Sequence, residues 1–264
     1  MSGHAFSADC ALARVHASPN HGPRRDGRAP DSIILHYTGM ASAQGALAVL
    51  CDPLREVSCH YFIYEDGAVL QLVPEALRAW HAGASLWQGE RDMNSRSIGI
   101  EIVNPGHAGG VETGAVPPFP QAQIGAVIAL CRDVIARHRI APERVLAHSD
   151  IAPGRKIDPG ETFPWRALHD AGVGRWVAPA PLRSSGMTLE AGARGKSVGD
   201  LQGRLARYGY GIDVSGVYDA PTERVVRAFQ RHFRPGLVDG HADPSTRATL
   251  RALLAASDPA QTRG

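Results

Sequence analysis

The sequence predicts an α/β (α+β) fold: a mixed central β-sheet flanked by helices, with a small C-terminal three-helix bundle appended. Three observations lead there. Strand-like and helix-like hydrophobic periods alternate through the larger N-terminal part of the chain. A Pro/Ala/Ser-rich stretch, Val177-Ala178-Pro179-Ala180-Pro181-Leu182-Arg183-Ser184-Ser185-Gly186, then breaks both periods and reads as a semi-rigid linker. Beyond it the pattern is helical in three stretches. The expected organisation is therefore a first domain over residues 1–177, a linker over 178–187 and a helical domain over 188–257.

Ile33, Ile34 and Leu35 make a continuous apolar run that ends at His36, the mark of a buried strand over Ser32–Tyr37. A helix is expected over Ala43–Cys51. His60-Tyr61-Phe62-Ile63-Tyr64 and Val69-Leu70-Gln71-Leu72 flank Asp66-Gly67, a hairpin signature. Residues 97–103 alternate: Ile98, Ile100 and Ile102 face one side, Gly99, Glu101 and Val103 the other. After Pro118-Phe119-Pro120, the residues Ile124, Val127, Ile128, Cys131 and Ile135 recur at helical spacing. Val145-Leu146-Ala147-His148 reads as a short strand. Near the C-terminus, Val198, Leu201, Leu205 and Tyr208 mark one helix, and Val225, Val226, Phe229 and Phe233 a second. The third opens at Asp243-Pro244, an N-cap with proline at the first helical position.

Composition narrows the function classes. With 264 residues, 44% apolar and 20% charged, the chain is globular rather than disordered. A net charge of +2, with arginines spread along the chain, argues against nucleic acid. Arg224, Arg227, Arg231 and Arg234 do give one C-terminal helix a basic character, which a solvated face explains as well as a DNA contact. No run approaches the ~18 apolar residues of a membrane span, and residues 1–18 lack a signal-like apolar core. A cytoplasmic location is expected, with the periplasm as the alternative. Cys10, Cys51, Cys59 and Cys131 lack thiolate-zinc spacing and read as reduced thiols; a Cys51–Cys59 disulfide stays open.

The chemistry concentrates in Ala147-His148-Ser149-Asp150-Ile151-Ala152-Pro153-Gly154-Arg155-Lys156-Ile157-Asp158-Pro159-Gly160. A histidine and an aspartate stand ten residues apart across a Pro/Gly-rich loop. With His36 they form a two-imidazole, one-carboxylate donor set that leaves a fourth position open, as catalytic zinc requires. Such a site implies water activation and hydrolysis. Taken singly, His36 reads more readily as a satisfied core histidine, and His148 with Asp158 equally as a loop salt bridge.

Five ordered segments resemble the type-2 N-acetylmuramoyl-L-alanine amidases, a zinc hydrolase family, and most of all its AmpD/AmiD branch. They are Ile34-Leu35-His36-Tyr37-Thr38, Ser58-Cys59-His60-Tyr61-Phe62-Ile63, Ala79-Trp80-His81-Ala82-Gly83, Ser97-Ile98-Gly99-Ile100-Glu101-Ile102-Val103-Asn104, and the 147–160 motif. The resemblance implies one zinc ion per chain on His36, His148 and Asp158, and hydrolysis of the lactyl–L-Ala amide of peptidoglycan fragments, anhydro-muropeptides in particular. It implies that Glu101 takes the proton of the attacking water and passes it to the leaving amine. It implies that Lys156 hydrogen-bonds the oxyanion, a role whose loss typically costs about 10²–10³ in rate. Tyr61, His81, Asn104 and Arg155 are the substrate-binding candidates. A carboxylate at 158, with Glu101 and Lys156, separates an active amidase from the alternative, a binding-only peptidoglycan receptor on the same fold. Residues 188–255, including Gly195-Lys196-Ser197-Val198, Asp213-Val214-Ser215-Gly216-Val217-Tyr218-Asp219 and Val238-Asp239-Gly240, resemble the type 1 peptidoglycan-binding domain. The expected partners are peptidoglycan or a muropeptide, with no nucleic acid and no membrane insertion.

Overall fold

The computed structural model describes residues 6–107, 116–182 and 186–257; the middle of the expected linker, residues 183–185, lies outside them. The architecture is the expected mixed sheet with helices on both faces, followed by three helices. The strands are β1 (Ala13–Val15), β2 (His21–Pro23), β3 (Ser32–Tyr37), β4 (Tyr61–Ile63), β5 (Val69–Gln71), β6 (Leu77–Ala79), β7 (Ser97–Ile102) and β8 (Val145–Ala147). Six form one sheet in the order β1-β5-β4-β7-β3-β8, and β2 pairs with β6 in a separate antiparallel ribbon. In the large sheet only β4 and β5, the expected hairpin, run antiparallel. The three-residue strands β1, β2 and β6 are too short to show alternation in sequence.

The two sheet faces divide the work. Ile98, Ile100 and Ile102 of β7, with Ile33 and Leu35 of β3, pack beneath α3 (Gln121–His138) and α5 (Trp165–Asp170). Each fully buried isoleucine contributes about 1.5–3 kcal/mol. The opposite face carries Phe62, which packs against Ala46 and Leu50 of α1 (Ala43–Cys51). Ser42 caps α1 by accepting a hydrogen bond from the Gly45 N–H. The same face carries His36 on β3 and Glu101 on β7. These two parallel strands are in register at His36↔Glu101, which sets a histidine and a carboxylate side by side.

The expected strand over 145–148 is shorter than its apolar run. β8 stops at Ala147, and His148 opens a single turn of helix, α4 (His148–Ile151). The cause is Asp150, whose Oδ2 accepts the Ala147 N–H at 2.9 Å and folds the chain back at the sheet edge.

The C-terminal helices are α6 (Lys196–Tyr208), α7 (Ala220–Phe233) and α8 (Pro244–Ala256); the short α2 (Met93–Arg96) precedes β7. Asp219 and Asp243 cap α7 and α8 through the Thr222 and Thr246 N–H groups. The three helices share one core with the sheet: Ile34, Leu146, Ile151 and Ala152 belong to the same apolar cluster as Val225, Phe229 and Leu250. The basic look of α7 is not a solvent-facing stripe. Arg231 and Arg234 are buried, and Arg227 pairs with Glu223. All four cysteines are free thiols, so Cys51 and Cys59 are not bridged. No helix among the described residues is long and apolar enough to cross a membrane.

Candidate metal centre and active-site cavity

The ends of β3 and β8 bring His36 and His148 together, and the loop after α4 returns Asp158 to them. His36 Nδ1 lies 2.9 Å from His148 Nδ1, and both lie 3.0 Å from Asp158 Oδ2. All three side chains are buried. The hydrogen bonds on their outer sides fix which nitrogens carry protons. The outer His148 nitrogen, Nε2, donates to the Ala82 carbonyl at 3.1 Å, so its Nδ1 is bare. Ser97 Oγ donates to the Met93 carbonyl and therefore accepts from His81 Nε2 at 3.1 Å. That leaves His81 Nδ1 to accept from His36 Nε2 at 3.0 Å, and His36 Nδ1 is bare as well.

Two unprotonated imidazole nitrogens and a carboxylate oxygen thus point at one spot, with no proton among them to relieve the repulsion of their lone pairs. A cation at the centre satisfies all three. The donor set, two neutral imidazoles and one carboxylate, is one that holds zinc in catalytic sites with a position to spare. Tetrahedral zinc with bonds of about 2.0–2.2 Å needs ligand atoms about 3.3–3.5 Å apart, so the 2.9–3.0 Å triangle opens by only a few tenths of an ångström to accept it. Of the described residues, these three form a group able to hold a metal ion.

The chain belongs to the N-acetylmuramoyl-L-alanine amidase family. Its family model, N-acetylmuramoyl-L-alanine amidase, matches residues 26–161, and a model described as a putative peptidoglycan binding domain matches residues 194–250. The amidase AmiD of Escherichia coli K12 is 41% identical over 229 residues, covering 84% of this chain and 81% of AmiD. The 1,6-anhydro-N-acetylmuramyl-L-alanine amidase AmpD of Enterobacter cloacae is 32% identical over 60% of this chain and 88% of AmpD. Among solved structures, the E. coli AmiD complex with anhydro-N-acetylmuramic acid-L-Ala-D-gamma-Glu-L-Lys aligns with a TM-score of 0.74 at 37% identity, over 92% of this chain and 93% of that one. AmpDh3 of Pseudomonas aeruginosa aligns with a TM-score of 0.70 at 30% identity, over 96% and 99%.

In this amidase His36, His148 and Asp158 line a cavity of about 350 Å³. Glu101 and Lys156 line it beside the triad, and Val49, Leu50 and Val57 supply an apolar wall. Glu101 Oε2 is buried with no hydrogen-bond partner. Burial, then the charge of Asp158, pushes its carboxyl well above the ordinary carboxylate range, against the pull of the Lys156 ammonium. Burial and the His148 ring push the His36 imidazole down to about 4, so that it is neutral near pH 7. The structure therefore assembles a carboxyl ligand, a neutral imidazole and a second carboxyl with one unpartnered oxygen within one cavity.

The four substrate-binding candidates fare differently. Tyr61 is completely buried on the α3 side of the sheet, where its hydroxyl donates to Glu75 Oε1 at 2.6 Å. Even-odd alternation puts Tyr61 on the face opposite Glu101, so it does not reach the cavity. Asn104 is also spent: its Nδ2 donates to the Pro117 carbonyl and its Oδ1 accepts the Gly106 N–H, which fixes the start of the following loop. Arg155 lines the cavity with Nε and Nη2 donating to the Ala82 and Ala84 carbonyls. His81 also lines the cavity, but both its ring nitrogens are engaged, one with His36 and one with Ser97. Its geometry is that of an orienting group behind a ligand. Sequence reading missed this relay, although Gly99 carried a signal for it. A Cβ at Gly99 would sit 2.4 Å from the His81 ring, so the strand can hold that ring only where it has no side chain.

That contact yields a prediction. Gly99→Ala is expected to drive His81 off its site and release the His36 tautomer, weakening metal binding about 10–100-fold, the usual cost of losing an outer-sphere partner. Competition with a chromophoric chelator reads it directly. An unchanged affinity would show that His81 does not orient His36.

Proposed function

We propose that this chain is a zinc-dependent N-acetylmuramoyl-L-alanine amidase that cleaves the lactyl–L-Ala amide of anhydro-muropeptides. The observation that carries the reading is the convergence of three bare ligand atoms beside a carboxyl whose Oε2 is buried without a partner, with a cationic side chain lining the same cavity. His36, His148 and Asp158 hold one zinc ion. When bound, zinc supplies Lewis acidity to a carbonyl oxygen and acidity to water. Glu101 takes the proton from the attacking water and returns it to the departing L-Ala nitrogen. Its raised pKa suits it to both halves of that transfer. Lys156, whose ammonium has no ion pair among the described residues, faces the charge that grows on the carbonyl oxygen. Arg155 presents a cation at the rim for the stem peptide or a sugar oxygen.

Residues 1–177 are read as the catalytic domain, 178–187 as the connection and 188–257 as a peptidoglycan-binding-like domain. The substrate seen with E. coli AmiD, a small anhydro-muropeptide, favours fragments over polymer. Mass spectrometry after incubation of the zinc-loaded chain with a defined anhydromuramyl peptide tests the reading. The expected products are free stem peptide and anhydro-sugar, both abolished by a chelator and restored by zinc. Release from intact sacculi but not from the fragment would overturn the substrate assignment. No release from either would overturn the catalytic one.

A further inference from the structure

Asp150 occupies an unusual position for a residue two steps from a metal ligand. It is fully buried, and only one of its hydrogen bonds is local, the one from the Ala147 N–H at the corner where β8 becomes α4. The other two come from the C-terminal helical part. Tyr210 Oη donates to Oδ1 at 2.7 Å, and His232 Nδ1 meets Oδ2 at 2.7 Å. The His232 ring is itself clamped, stacked on Trp165 at 3.7 Å on one side and on Phe233 at 3.8 Å on the other. Nothing in this cluster is solvent-exposed, so it is no surface for wall polymer.

A second brace reaches the other support of His148. The Gly209 carbonyl accepts the Gln88 N–H at 2.8 Å, and Tyr210 packs edge-on to Trp87. A Cβ at Gly209 would lie 2.6 Å from the Trp87 ring, and one at Gly211 2.5 Å from Leu86, so this approach is close. Leu86 N–H in turn donates to the Ile151 carbonyl of α4. The same 82–88 segment supplies Ala82, whose carbonyl fixes the His148 tautomer. Both structures that set the position of His148, the α4 turn and the 82–88 segment, are therefore held by residues beyond the linker.

We propose that Tyr210 and His232 are positioning residues for the metal site: through Asp150 they fix the turn that carries His148, so the C-terminal helices set the metal affinity as well as any wall contact they make. The proposal rests on the zinc reading above. The physical reason is that a buried carboxylate stripped of a donor must find another or move. Apart from the other C-terminal donor, its remaining partner is the Ala147 N–H, directly before the ligand. Movement there displaces His148 by the few tenths of an ångström that a preorganised site does not tolerate.

The experiment measures zinc affinity of the full chain by chelator competition, alongside the melting temperature of the metal-free protein. Tyr210→Phe deletes one hydroxyl and keeps the ring. His232→Leu removes the donor, and His232→Asn restores one near the Nδ1 position. Arg251→Ala, on α8 away from this junction, is the control. The expected result is a zinc Kd raised about 10-fold in Tyr210→Phe and His232→Leu, the lower end of outer-sphere losses, with recovery in His232→Asn and no change in the control. Lower melting temperatures with unchanged zinc Kd would overturn the proposal, since a merely structural contact stabilises metal-free and loaded forms alike. If the unaltered chain binds no zinc, it is the zinc reading that fails, which separates the two.

Discussion

Glu101→Gln is expected to lower kcat by about 10²–10⁴-fold while zinc content and KM stay near those of the unaltered chain. The amide keeps the volume of the carboxyl but cannot take a proton from water. None of the three ligand residues hydrogen-bonds to Glu101, so the metal site is left intact. A second consequence separates this reading from simple damage. Glu101 is held with a carboxyl pKa well above its ordinary value of 4.5, and one of its oxygens has no partner. The unfolded chain ionises this group above pH 4.5 and the metal-free folded chain resists it, so the residue costs stability at neutral pH. Metal-free Glu101→Gln should therefore melt at an equal or higher temperature at pH 7, with the gain vanishing below pH 4.5, where the native glutamic acid is protonated in both states. Retained turnover would remove Glu101 from the role of base. Lost turnover with lost zinc would make it a structural residue of the site.

Asp158→Asn carries the largest expected effect on the metal itself. The aspartate brings the only negative charge among the three ligand side chains, and all three are buried. An asparagine leaves a doubly charged cation in a low-dielectric pocket with neutral ligands alone, which is costly. The zinc Kd should rise by at least about 100-fold, beyond the range seen for outer-sphere losses. Activity should fall in parallel and return in part at high zinc. Chelator competition reads the first and a zinc titration of product release the second. If the variant binds zinc as tightly as the unaltered chain, the metal does not sit among these three residues.

Much of this site was legible in the chain because its parts sit on strong local patterns. The run Ile33-Ile34-Leu35 identified a buried strand and put His36 at its end. The alternation of Ile98, Ile100 and Ile102 placed Glu101 on the face away from α3. Those are properties of period and polarity, and the β3–β7 register then made neighbours of His36 and Glu101. Tyr61 and Asn104, expected as substrate contacts, are engaged by internal partners for a related reason. A motif gives the residue type at a position, but the face it points to depends on which strand neighbours it. The Glu75 carboxyl that takes the Tyr61 hydroxyl lies 14 positions along the chain.

By itself, then, the sequence determined the fold class, the three helices beyond residue 188 and the donor types that meet in the cavity, because hydrophobic period and side-chain chemistry are local. Only the tertiary structure decided which nitrogen of each imidazole faces the shared ligand point, since that proton is set by Ala82, His81 and Ser97, all far in sequence from His36 and His148. It alone decided that the C-terminal helices share a core with the sheet and grip Asp150. Hydrogen bonds between residues 60 and 82 positions apart leave no periodic trace, because each end is a single polar residue whose partner is chosen by packing.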